Sequence, residues 1–290
     1  MKIVTLIEVK ESFSKELQPI YSEGEIIELF AIFSGHLLGL NKIEIRNSVD
    51  KIITAEQLLT FESALKDLKT GKPFQQILGE TEFYGLRFFV DENVLIPRPE
   101  TEELLELAIK EIQGSRLKVK GSGLKILDIG TGSGIIPIVL KKKFPEAEIT
   151  AIDFSELALK MARKNADFHL VEINFIHQDY LNENLGEIYD IIISNPPYIG
   201  IDEEVEIENS VKEFEPKMAL FSPNSNALIF YEKIARDCEN YLSKNGLVFL
   251  EINQKLGVET RDLFAPVLSE VALVKDLSGN DRFVWGQKSY

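Results

Sequence analysis

Cysteine, histidine and basic charge are all scarce in these 290 residues. The one cysteine, Cys238, cannot close an intramolecular disulfide, which points to a reducing compartment and a chain that folds without covalent staples. Three histidines, His36, His169 and His177, stand at spacings unlike those of a transition-metal site, so no metal is expected. The 32 Lys and Arg face 47 Asp and Glu, a formal net charge of −15. That balance disfavours a non-specific nucleic-acid binder, because neutralising phosphates needs a basic surface. No uncharged apolar run reaches the roughly 18 residues of a membrane-spanning helix. The opening MKIVTLIEVK carries Lys2, Glu8 and Lys10 where a signal peptide would be apolar. A soluble cytoplasmic protein is expected. Repeats and low-complexity tracts are lacking as well, and 44% hydrophobic residues argue against disorder.

Up to about residue 78 the apolar residues recur at three and four, as in Ile26, Ile27, Leu29, Phe30, Phe33 and Leu37. That period predicts a helical bundle. Ser22 with Glu25 and Thr54 with Gln57 have capping-box spacing, and Gly71 with Pro73 is a stop signal. Residues 79–96 change character: Arg87–Val90 and Asn93–Ile96 read as two strands joined around Asp91-Glu92, a β-hairpin linker. Pro97-Arg98-Pro99 breaks the strand, and Glu100, Glu102 and Glu103 open a helix whose N-terminal dipole favours acids.

From residue 125 short apolar runs alternate with helical periods. Strands are expected at 125–129, 148–152, 174–177, 189–194 and 247–252, with helices notably over 135–143, 156–167 and 226–243. This alternation predicts a parallel α/β sheet covered by helices on both faces. The segments 271–275 and 282–285 flank Ser278-Gly279-Asn280-Asp281 and predict an antiparallel return. The expected domains are thus 1–78, a helical domain; 79–96, the hairpin linker; and 97–290, the α/β domain.

Three places in that domain carry chemistry. Between the first strand and its helix lies Asp128-Ile129-Gly130-Thr131-Gly132-Ser133-Gly134, a motif whose glycines let backbone turn tightly and approach a ligand. Asp153, 19 residues after Gly134, ends the second strand and can accept from ribose hydroxyls, or else cap the next helix. Asp179-Tyr180 after the third strand offers an acceptor beside an aromatic face, suited to adenine, although Asp there is commonly a turn residue. The sharpest signal is Asn195-Pro196-Pro197-Tyr198, 65 residues after Gly130. Two prolines remove two backbone donors and leave a turn rich in acceptors. The Asn195 side-chain oxygen and the Pro196 carbonyl can take both hydrogens of a planar NH₂ group while Tyr198 packs against its face. Such a clamp suits methyl transfer from a sulfonium to an amide or aromatic amine, and needs no strong base.

An antiparallel hairpin closing a parallel sheet resembles the class I S-adenosylmethionine-dependent methyltransferases. Nearly the whole chain resembles one family among them, the bacterial release-factor glutamine N5-methyltransferases (PrmC/HemK). The resemblance is carried by the glycine turn, the Asn-Pro-Pro-Tyr turn, 73–79, 82–86, Ile96-Pro97-Arg98-Pro99-Glu100-Thr101-Glu102, Glu215-Pro216, Glu251-Ile252 and Gly279–Arg282. It implies S-adenosylmethionine as cofactor, as substrate the Gly-Gly-Gln glutamine of class 1 peptide chain release factors, and for the helices of 1–78 the role of substrate-docking domain. By position, Gly130, Thr131, Gly132, Ser133, Gly134 and Asp153 would hold the methionine and ribose parts, and Asp179 with Tyr180 the adenine. Asn195 would touch both cofactor and glutamine, and Asn195, Pro196, Pro197 and Tyr198 would bind the glutamine and carry catalysis. Tyr180 departs from the tryptophan frequent there. A monomer with no direct DNA binding and no membrane contact is expected. The same clamp suits adenine N6 or a ribosomal-protein glutamine, and a non-enzymatic nucleotide-binding adaptor is a further alternative. The acids between Asp202 and Glu215 read as a solvated loop, or as a flap closing on a basic peptide.

Overall fold

The computed structural model describes residues 4–115, 123–200, 203, 209–223 and 226–289. The chain packs as two units, Met1–Leu78 and Gly79–Tyr290.

The first unit is built from the helices α1 (Leu6–Leu17), α2 (Glu23–Leu38), α3 (Lys42–Asn47), α4 (Ala55–Leu68) and α5 (Phe74–Leu78). Ser22 and Thr54 each accept from the backbone three residues on and are answered by Glu25 and Gln57, so both expected capping boxes form. Asn41 with Glu44 adds another. Leu6, Phe13, Phe30, Phe33, Phe61 and Leu68 fill one core, with the Phe13 ring edge-on to Phe30 at 5.7 Å and to Phe61 at 6.1 Å. A two-residue antiparallel pair, β1 (Val4–Thr5) with β2 (Ile52–Ile53), was not legible in the helical period.

The second unit opens with a hairpin displaced from its expected place. Its strands are β3 (Glu80–Phe83) and β4 (Leu86–Phe89), and 93–96 form no strand. The turn is Tyr84-Gly85, with φ of +55° and +67°, the pair of left-handed residues that a two-residue hairpin needs. The apolar spacing of Val90 and Val94 belongs instead to a loop that packs against Ala158 and Met161.

After α6 (Pro99–Gly114) follow β5 (Lys125–Ile129), α7 (Ile135–Lys143), β6 (Glu148–Asp153), α8 (Glu156–His169), β7 (Asn174–His177) and β8 (Tyr189–Ser194). Next come α9 (Asn209–Phe214), α10 (Lys217–Leu220), α11 (Ile229–Tyr241), β9 (Leu242–Glu251), α12 (Gly257–Phe264), β10 (Glu270–Lys275) and β11 (Asp281–Gln287). The seven-stranded sheet runs β10-β11-β9-β8-β5-β6-β7. Strands β9, β8, β5, β6 and β7 pair in parallel, and β11 is antiparallel to both neighbours, the expected C-terminal return.

Alternation along the strands sorts side chains into two cores. Ile126, Ile191, Ile193, Leu247, Phe249 and Phe283 face α6 and α7. Leu127, Ile129, Ile192, Val248, Leu250 and Val284 face α11 and α12. Cys238 lies wholly buried in the second core, where burial pushes its thiol up to about 12. Among the described residues no helix is long and apolar enough to cross a membrane.

Candidate active site

The reversal point of the sheet lies between β6 and β8, the neighbours of β5, and ligands of such sheets gather at the carboxyl ends of these strands. There the glycine turn leaves β5. Gly130 and Thr131 donate to the Ile152 carbonyl at 2.9 and 3.1 Å, which stitches the turn to β6. Gly130 and Gly132 have φ of +75° and +55°, and a Cβ on either would meet nothing within 4 Å. Their backbone therefore borders open space. At Gly134 a Cβ would stand 3.0 Å from that of Ala162, so glycine there lets α8 approach.

Asp153 extends β6 by one residue beyond the expected 148–152. One carboxylate oxygen accepts from Gly132 N and the other from Ser155 N, both at 2.8 Å. The N-cap of α8 is Ser155, which accepts from Ala158 N, so Asp153 is not the cap. Burial raises the Asp153 pKa, and the backbone donors oppose the rise. Behind the turn, wholly buried Asn165 donates to the carbonyls of Ser133 and Phe89 at 2.9 Å and accepts from Phe89 N at 2.7 Å, tying the glycine turn to β4.

Asp179 and Tyr180 are placed differently from each other. Asp179 sits in a turn, accepting from Asn182 Nδ2 at 2.8 Å while its carbonyl receives Asn182 and Glu183 N. Tyr180 is 5% exposed; its hydroxyl donates to Asp237 Oδ2 at 2.8 Å, and Lys233 Nζ stands over its ring. Its hydroxyl end is thus committed to α11.

The turn after β8 adjoins α6 and β9. Asn195 Nδ2 donates to Thr101 Oγ1 at 3.1 Å, Thr101 Oγ1 donates to Glu251 Oε2 at 2.8 Å, and the Tyr198 hydroxyl donates to Glu251 Oε1 at 3.2 Å. Burial lifts Glu251 to about 7 against the opposing pull of Thr101 and Arg282. Among the described residues, Asn195 Oδ1 and the Pro196 carbonyl accept nothing. Asn195, Pro196 and Tyr198 line a cavity of about 370 Å³ with Leu95, Arg98 and Ala219. Its described lining holds no histidine and no carboxylate, and its one cation, Arg98, is bound by Glu215 at 2.6 Å.

Glu215 also accepts from Ile96 N at 3.0 Å and is 4% exposed, so this acid is a buried anchor and not part of a solvated loop. Glu203 accepts from Asn253 Nδ2 at 2.8 Å and pairs with Lys255 at 3.1 Å. Asp202, Glu204, Glu206 and Glu208 of the expected flap lie outside the described residues.

Sequence reasoning placed Asp128 at the head of the glycine motif without giving it a role, and missed Thr101 and Glu251 as site residues. Asp128 is wholly buried at the end of β5, and among the described residues neither of its oxygens has a hydrogen-bond partner. Burial pushes it up to about 7; the Thr131 hydroxyl, near it but making no hydrogen bond, pulls the other way. The available signal was a carboxylate inside a strand buried on both faces, as in Leu127-Asp128-Ile129 and Leu250-Glu251-Ile252.

Two family descriptions match the chain: "PrmC N-terminal domain" over residues 8–79 and "Methyltransferase small domain" over 112–213. A release factor glutamine methyltransferase of Flavobacterium psychrophilum is 45% identical over 278 residues, covering 95% of this chain and 96% of its own. Relatives of the same name from Chlorobaculum tepidum and Streptococcus pneumoniae are each 38% identical, covering 86% and 96% of this chain and 85% and 98% of their own. A methyltransferase crystal structure from Pyrococcus furiosus shares the fold, with a TM-score of 0.51 at 15% identity over 82% of this chain and all of its own.

Proposed function

The chain belongs to the release factor glutamine methyltransferase family, and on that premise we propose that it methylates the N5 amide of the glutamine in the Gly-Gly-Gln motif of class 1 release factors. The cofactor is S-adenosylmethionine, which when bound supplies an electrophilic methyl on a sulfonium. The residues present fit it. Gly130 and Gly132 border space that a side chain would fill, Asp153 has lone pairs left for ribose hydroxyls, and Asp128 is a buried carboxyl whose oxygens await a cationic or hydrogen-bonding partner. Gly130 to Gly134 and Asp153 would hold the methionine and ribose parts. Asp179 and Tyr180 would border the adenine, Tyr180 through its ring, because its hydroxyl serves Asp237.

The observation that carries the reading is the orientation of Asn195. Its Nδ2 is held by Thr101, which leaves Oδ1 as an acceptor, and Asn195 lines the cavity together with Pro196, whose carbonyl has no partner among the described residues. Two neighbouring acceptors match the two hydrogens of a primary amide. Binding both hydrogens orients the nitrogen and favours its pyramidal, more nucleophilic form; positioning of this kind lowers barriers without a strong base. Methylation makes the nitrogen cationic, and the proton it then sheds passes to water, since the described lining holds no titrating base. Pro197 stiffens the turn, and Tyr198, anchored on Glu251, forms the wall.

Met1–Leu78 would dock the release factor, and the protein would act as a cytoplasmic monomer. The deciding experiment is transfer of labelled methyl from S-adenosylmethionine to a purified class 1 release factor, beside the same factor with its motif glutamine replaced and beside duplex DNA. Label on the intact factor alone is expected. Label on DNA would transfer the clamp to adenine and refute the proposal.

A further inference from the structure

We infer that Thr101 and Glu251 are positioning residues that set which end of the Asn195 amide faces the substrate. The inference rests on the amide-clamp reading and adds what holds the clamp in its working sense.

An asparagine amide can present oxygen or nitrogen with almost no change of shape, so something must choose between them. The choice here propagates from β9. Glu251 as carboxylate is an acceptor only, and it takes the Thr101 hydroxyl proton at 2.8 Å. Thr101 Oγ1 then has only lone pairs left, so Asn195 must offer it Nδ2–H, as it does at 3.1 Å. Oδ1 consequently faces the cavity. Tyr198, on the other carboxylate oxygen, and Tyr231, whose hydroxyl donates to the Glu251 carbonyl at 3.0 Å, hold the acid in place.

The same chain can run backwards. A proton on Glu251 Oε2 makes the acid a donor to Thr101, which frees the Thr101 hydrogen for donation onward, and Asn195 accepts it by turning Oδ1 inward. The cavity would then receive Nδ2–H, which repels an incoming NH₂ group. Oε1 is the poorer place for that proton, because the Tyr198 hydroxyl would lose its one acceptor among the described residues. The groups facing Glu251 are Thr101 and Glu100 from α6, Tyr198, Tyr231 from α11 and Arg282 from β11. Burial outweighs the attraction of Arg282 and brings the acid to about 7, within the range where the reversal is populated.

The test compares wild type, Thr101→Val, Thr101→Ser, Glu251→Gln and Asn195→Ala by methyl transfer to a release factor from pH 6 to 9, with S-adenosylmethionine affinity measured by calorimetry. Thr101→Val should lower kcat about 100-fold with cofactor affinity within about twofold, and Thr101→Ser should recover most of the loss. Wild-type kcat should fall below about pH 7. Glu251→Gln, which keeps an acceptor for Thr101 but cannot titrate, should lower kcat by about three- to tenfold and abolish that acid limb. In cofactor-free protein, the infrared carboxylic-acid band lost in Glu251→Gln should titrate near pH 7. Wild-type kcat in Thr101→Val alongside an inactive Asn195→Ala would overturn the relay and spare the clamp. Wild-type kcat in Asn195→Ala would overturn both, and an unchanged acid limb in Glu251→Gln would overturn the reversal.

Discussion

Replacing Asp128 by asparagine should stabilise the cofactor-free protein and weaken its hold on S-adenosylmethionine. The carboxyl is wholly buried, and burial lifts its pKa from 3.8 to about 7. Each tenfold change in a protonation equilibrium is about 1.4 kcal/mol, so at pH 8 the buried charge costs the folded state about 4 kcal/mol. Asparagine removes the charge and keeps the shape, but leaves an unpaired amide that costs about 1–3 kcal/mol. The net gain is about 2 kcal/mol, or about 4–8 °C in Tm for a unit of this size. The sign with pH follows from a folded-state pKa raised above the unfolded one. The penalty is fully present above about 7, declines as pH falls and is gone below about 4, where the carboxyl is protonated in both states. Thermal unfolding of wild type and Asp128→Asn across pH 4 to 8.5, without cofactor, reads this directly. Equal melting at pH 8, or an advantage that persists undiminished at pH 4, would refute the burial argument. Calorimetry on the same pair should find weaker S-adenosylmethionine binding in the variant.

Asn195→Ala should keep cofactor affinity within a few-fold while kcat falls about 100-fold or more; equal losses in both would mean that the side chain serves the cofactor and not the amide. Asn165→Ala leaves the backbone groups of Ser133 and Phe89 unpaired and should cost about 2–4 kcal/mol in urea unfolding, with weaker cofactor binding because the glycine turn loses its tie to β4. A variant with wild-type stability would show that tie to be dispensable. Tyr180→Phe removes a donor to buried Asp237, which keeps Lys233, and should cost about 1–2 kcal/mol with cofactor affinity unchanged; a tenfold loss of affinity would place the hydroxyl at the ligand. Ile43 and Leu59 are exposed on the N-terminal unit, at 71% and 66%, and their change to Asp should raise KM for the release factor and leave its kcat alone. An unchanged KM would move docking off that face.

The parallel sheet was legible because its inner strands, buried on both faces, read as continuous apolar runs, and its helices as a three-and-four period. The strands 125–129, 174–177 and 189–194 coincide with the observed β5, β7 and β8. The hairpin was misplaced because its turn is set by backbone handedness at Tyr84, a residue with no turn signature, whereas Asp91-Glu92 looked like a turn and joins no strands. Of the site, the two turns were visible because glycine and proline mark backbone that must bend unusually. Thr101 and Glu251 were invisible as partners because the bond between them joins positions 150 apart, a pairing that only the sheet order creates. Glu215 looked like one acid in a charged run, and only its contacts with Ile96 and Arg98 reveal an anchor.

The order of the sheet also bears on how the protein is made. Strand β5, the first of the seven to be synthesised, is an inner strand, and β6 and β7 on one side and β8 and β9 on the other can add outward as they emerge. The last strand breaks this sequence, because β11 enters between β9 and β10 and is the only strand paired with β10 among the described residues. Until it arrives β9 has a bare edge, and each core lacks a side chain, Phe283 in one and Val284 in the other. A nascent chain halted before Asp281 would hold both the glycine turn and the Asn-Pro-Pro-Tyr turn and still present an open sheet edge to its neighbours, a state that chaperones and proteases recognise.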